Sequence, residues 1–118
     1  MITLETFTDL AQQPMGKFNP KPTRLTEDQE EASTPLWASA DSGVKIGIWE
    51  CSPGRFTADR STTAEYCHII SGSATVTNLS DGSSRDIKGG DLLVLPLGWT
   101  GEWVIHEHMR KLYFLSTS

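Results

Sequence analysis

An all-β barrel or sandwich is the fold class the sequence predicts, on three observations. The 118 residues include ten Gly, six Pro and four Trp, which suits tight turns and large cross-strand side chains. From Val44 onward, about eight to ten short apolar runs alternate with turn signals. No stretch sustains the apolar period of a long helix. A chain of this length fits one domain with a single modest core.

Taken in order, residues 1–43 read as an irregular arm and 44–118 as the barrel. Residues 6–13 allow one or two helical turns, which Pro14 ends. Asn19-Pro20-Lys21-Pro22 is held extended by proline sterics, and the acidic 26–31 reads as a solvated loop or short turn. Phe18, Leu25, Leu36 and Trp37 are the residues able to anchor the arm. Two arrangements stay open: an arm laid over the barrel, or an arm adding a strand to its own barrel or to a partner's. Beyond it, Val44–Cys51 alternates apolar residues at 44, 46 and 48, and Ser52-Pro53-Gly54 turns into a short strand at 55–60. Strands at 66–72 and 73–78 flank Gly72, the place for a bend or bulge. Asp81-Gly82 tips a hairpin. After it come 85–88, a buried strand at 92–95, and strands at 103–105 and 112–115.

Composition excludes several functions. The net charge of −5 argues against nonspecific nucleic-acid binding. No apolar run approaches the roughly 20 residues of a spanning helix, so no membrane partner is expected. Residues 1–6 lack the basic flank and apolar core of an export signal. Cys51 and Cys67 show no CxxC spacing. A cytosolic location with both thiols reduced is the expectation.

Four elements in order carry a family resemblance: Gly47-Ile48-Trp49-Glu50 with Pro53-Gly54, Glu65-x-Cys67-x-Ile69-x-x-Gly72, Gly90-Asp91-x-x-x-x-Pro96-x-Gly98, and Trp103 with Arg110-Lys111-x-Tyr113. Together they resemble the cupins, small jelly-roll barrels of the RmlC-like type. Within them the chain is similar to the single-domain group of the ureidoglycine aminohydrolase cupin domain. The resemblance implies a single cupin barrel, a homodimer and a pocket inside the barrel. Metal-binding cupins place an H-x-H pair before the glutamate of the first motif and a histidine after Pro-x-Gly. Here Glu65 holds the glutamate position. The paired positions fall at Ala58 and Arg60, or at Asp59 and Ser61, and the last at Gly101. With three of four ligands absent, no metal and no cofactor are expected.

By strand parity Glu65, Cys67, Ile69 and Ser71 share one face, which the resemblance turns inward. Glu65 is the candidate catalytic residue: a carboxylate in a partly apolar cavity should have a raised pKa and act as acid or base. The competing reading is a structural carboxylate held by Arg60 or Lys111. Cys67, on the same face, reads as a small apolar filler more readily than as a reactive thiol, and is kept as a ligand contact. Trp103 falls on the face of Gly101 and can fill the space of a missing metal site. Lys111 and Tyr113 share a face opposite Leu112 and Phe114. The apolar pair would ordinarily mark the core side, yet the resemblance places Lys111 at the pocket rim, suited to an anionic group or to proton abstraction. His68, His106 and His108 should point outward. The ligand-binding candidates are thus Arg60, Cys67, Trp103, Lys111 and Tyr113. The functional expectation is a small polar metabolite bound in the barrel, and possible chemistry through Glu65 without a metal. Two alternatives are a metal-dependent hydrolase like the ureidoglycine aminohydrolases and a non-catalytic sensor or scaffold.

Overall fold

Residues 2–117 are described by a computed structural model that contains eight strands and no helix. They are β1 (Asn19–Pro20), β2 (Glu30–Ala38), β3 (Val44–Cys51), β4 (Gly54–Arg60), β5 (Ala64–Asn78), β6 (Ser84–Lys88), β7 (Leu92–Leu95) and β8 (Trp99–Ser116). One hydrogen-bonded path runs β1-β2-β3-β8-β5-β6, with β4 added on β8 and β7 on β5. Every pairing is antiparallel. The all-β expectation is met.

Two strands are longer than the sequence suggests. The runs at 66–72 and 73–78 join into β5, and those at 103–105 and 112–115 join into β8. Each long strand serves two halves of the barrel: β8 pairs with β4 through 99–105 and with β3 through 109–116. The bend between the halves falls on β5, where the register against β8 slips three times between Ile69 and Ala74. Gly72 sits at its centre with φ of 93°, and a side chain there would collide with the backbone carbonyl of His108. Only glycine satisfies both conditions. Bulges of this kind bend a strand without ending it.

Inside, Trp103, Phe56, Trp49, Ile69, Ile105 and Met109 lead a core cluster that also takes in both cysteines. Burial pushes the Cys51 thiol up to about 12 and the Cys67 thiol up to about 11. Both are free and protonated at neutral pH.

The arm is more ordered than its sequence implies. Its strand β2 pairs along β3 of the same chain from Glu31↔Cys51 to Ala38↔Lys45. No helical turn forms at 6–13; the chain makes only a tight turn there, closed by Gln12 N–H donating to the Asp9 carbonyl at 2.8 Å. Of the four named anchors, Leu25 and Trp37 are exposed and Phe18 and Leu36 half-buried, while Gln29 and Ala32 are buried. Arg110 fastens residues 10–13 by donating to the carbonyls of Leu10 (2.8 Å) and Gln13 (2.7 Å), and its Nε donates to Glu50.

Candidate functional site

A cavity of about 600 Å³ opens between the inner face of the barrel and the arm. Strand alternation decides what enters it. Strand β4 contributes Phe56, Ala58 and Arg60; β8 contributes Trp103, Lys111, Tyr113 and Leu115; β3 contributes Trp49; Glu65 enters from the start of β5. The arm closes the remaining side with Gly16, Lys17, Asn19 and Lys21, and β2 adds Glu31 and Ser33.

Three rings form the base. Phe56 and Trp103 stack with centroids 5.7 Å apart and planes 17° from parallel, and Trp49 meets both edge-on. Two ammonium groups rest on them. Lys111 Nζ lies 4.2 Å from the Trp49 ring centroid and 4.4 Å from that of Trp103; Lys21 Nζ lies 4.4 Å above Phe56. Cations over desolvated aromatic faces are attracted by the ring quadrupoles.

Each ammonium has one carboxylate. Lys111 Nζ is 2.7 Å from Glu65 Oε2 with both side chains almost wholly buried. Lys21 Nζ donates to Glu31 Oε1 at 2.8 Å, an oxygen that also accepts from Trp49 Nε1. Arg60 Nε approaches Glu65 Oε1 to 3.4 Å, which is ion-pair range, but without hydrogen-bonding geometry, so this buried Nε–H has no acceptor. For Glu65, burial is the largest single influence and pushes its pKa up. The charge of Lys111, then that of Arg60, the Lys111 hydrogen bond and the charge of Lys21 together outweigh burial, and the carboxyl titrates below its ordinary 4.5. The raised pKa expected from the sequence is therefore reversed in sign. Glu65 is an ionised carboxylate clamped by cations, able to accept a proton but not poised to donate one.

The donor set does not fit a metal of the cupin type. Glu65 is committed to Lys111 and Arg60, and no imidazole or thiolate lines the cavity. Of the positions that correspond to metal ligands, Ala58 and Arg60 do reach the cavity wall. Gly101 does not; a side chain there would run into the Thr77 carbonyl and the Trp99 ring. The histidines are exposed on the outside, His106 bonded to Thr75 and His108 to Glu50. Among the described residues no group of three or more His, Cys, Asp or Glu is placed to hold a metal.

The family of EutQ-like cupin domains matches residues 38–113. The chain is a EutQ-like cupin. Its fold resembles a putative ethanolamine utilization protein Q from Salmonella typhimurium, with TM-score 0.69 and 21% identity over 85% of this chain and 78% of that one. A DUF861-family protein of unknown function from Pseudomonas syringae pv. tomato gives TM-score 0.73 and 19% identity, over 87% of this chain and 43% of that one. A DUF861-family protein from Thermotoga maritima is 36% identical over 56% of this chain and 73% of its own, with TM-score 0.52. Among curated proteins none matches.

In this EutQ-like cupin five of the residues singled out from sequence, Arg60, Glu65, Trp103, Lys111 and Tyr113, line one cavity. Cys67 does not; it is fully buried in the core below. Lys111 overturns the apolar-pair argument: it is 6% exposed and faces inward, while Leu112 and Phe114 lie on the outer side of β8, half-buried. The inner position tolerates a lysine because Glu65 and two indole faces are there to receive it. Tyr113 fits because Gly47 opposite has no side chain, and its hydroxyl meets Ser33 Oγ at 3.1 Å. Sequence reasoning missed Lys17, Asn19, Lys21, Glu31 and Ser33, all outside the family match. The one available signal was Glu31 and Ser33 alternating with Ala32 and Thr34, a strand whose inner face is polar.

Proposed function

We propose that this EutQ-like cupin binds a small polar metabolite in the barrel cavity. One observation carries the reading: an ionised Glu65 held by Lys111 and Arg60 opens onto a volume of about 600 Å³ whose other polar groups, Lys21, Asn19, Ser33 and Tyr113, converge on the same space. Pockets of a few hundred Å³ with a few placed polar groups suit metabolite-sized ligands. In a catalytic version of the same reading, Glu65 serves as a base. The resemblance to the ureidoglycine aminohydrolase group brings ureido and amino compounds into the test set. The test is a thermal-shift and tryptophan-fluorescence screen of small amines, ureides and carboxylates. A binder should raise Tm and change the emission of Trp49 and Trp103 together. If no compound moves either signal, the reading is wrong and a sealed scaffold barrel takes its place.

A homodimer is part of the proposal. Across the outer sheet face runs an apolar ladder, Trp37-Ile46-Phe114-Tyr66-Val94, each residue the register partner of the next. Val94 and the neighbouring Leu92 are 51% and 68% exposed. The ladder crosses five strands, about 20 Å at the usual strand spacing, a width on the scale of a standard interface. A second copy presents the same face and so can cover it isologously. Light scattering after size exclusion should give a dimer for the native chain and a monomer for Tyr66→Glu; a monomeric native chain at micromolar concentration would refute the pairing. The protonated, free thiols and acidic net charge support a cytosolic protein that does not partner nucleic acid or membrane.

A further inference from the structure

Resting on the cavity-binding reading, we infer that the ligand is a small oxyanion, a carboxylate or a phosphate, received by Arg60 together with Lys21. The first observation is charge. The chain as a whole carries −5, yet the cavity is lined by four basic side chains, Lys17, Lys21, Arg60 and Lys111, against two carboxylates, Glu31 and Glu65. The lining is therefore positive by two charges inside an acidic protein. A cationic or amine ligand would enter against that field; an anion is drawn along it.

The second observation is an unmet donor. Arg60 Nε–H is buried and has no acceptor, because Glu65 stands 3.4 Å away at an angle that makes no hydrogen bond. A buried donor left unsatisfied is costly, and a ligand oxygen is what completes it. The guanidinium fork matches carboxylate and phosphate geometry. The third observation limits the body of the ligand. The three rings at the base are each less than 10% exposed, and the ammonium groups of Lys111 and Lys21 lie over them. Stacking of a flat apolar body is thereby blocked; the rings hold the lysines and the lysines face the ligand. Recognition is polar, with Ser33, Asn19 and Tyr113 as the neutral contacts.

The experiment is calorimetric titration of the full chain with succinate, inorganic phosphate, the uncharged succinamide and 1,4-diaminobutane at low ionic strength. Succinate or phosphate should bind at least tenfold more tightly than succinamide, and whichever of the two does so identifies the oxyanion. Arg60→Gln should weaken that binding at least tenfold, while Lys88→Gln, an exposed change on β6, should leave it unchanged. Succinamide or the diamine binding as tightly as the anions would overturn the oxyanion assignment and leave the cavity-binding reading intact. Anion binding that Arg60→Gln does not weaken would also overturn it. If none of the four binds and the wider screen is silent as well, the cavity-binding reading itself falls.

Discussion

Replacing Lys111 by Met should destabilise the fold by about 3 kcal/mol, because it leaves Glu65 as a buried carboxylate without its closest partner. Removing one member of a buried pair commonly costs about 3–5 kcal/mol; Arg60, still 3.4 Å away, keeps the loss at the lower end. Glu65→Gln should be comparable, since it strands an ammonium that is 6% exposed. The double variant Glu65→Gln/Lys111→Met should cost clearly less than the sum of the singles, as both charges are gone. Urea denaturation of the four proteins closes this cycle. Additive losses would mean that the two side chains do not act as a pair. The pH dependence follows in sign. The folded pKa of Glu65 lies below its unfolded value, so its contribution is complete above about pH 5 and is lost as pH falls through the ordinary carboxyl range toward the folded value. In Lys111→Met the main force lowering that pKa is absent, burial gains ground, and acid unfolding should begin at higher pH.

Trp103→Ala should cost about 4 kcal/mol, within the usual range for emptying a fully buried aromatic site. The ring is 1% exposed, stacks on Phe56, meets Trp49 edge-on and supports the Lys111 ammonium. Its loss removes packing and one of the two faces that hold Lys111 in place. Near-UV circular dichroism should weaken along with stability, and Trp103→Phe should recover part of both. A loss under about 1 kcal/mol would show that the ring fills space without supporting the base of the cavity.

The fold was legible because its signals are local. Asp81-Gly82, Gly90-Asp91, Pro96-x-Gly98 and the apolar runs between them mark strands and turns without reference to tertiary structure. The bend at Gly72 is legible because a glycine inside a strand pattern marks a bulge. The mostly polar run 106–111, by contrast, hides the continuity of β8 because it offers no apolar alternation. Half of the cavity was legible for a related reason. Parity from Glu65 places Cys67 and Ile69 inward, and the parity of β8 aligns Lys111 with Tyr113. Which of two faces turns inward is a different matter. Leu112 and Phe114 would ordinarily take the core, and Lys111 does so only because Glu65 neutralises it. That pairing spans strands and leaves no local trace. The other half of the cavity comes from the arm, where polar inner residues on β2 erase the apolar alternation that identifies a strand.

The direct test of the clamped carboxylate is a carbon-detected NMR titration of the Glu65 side chain in the native chain and in Lys111→Met. The native carboxyl should titrate below 4.5 and move upward in the variant. A native value above 4.5, or one indifferent to the loss of Lys111, would contradict an ionised Glu65 held by its two cations.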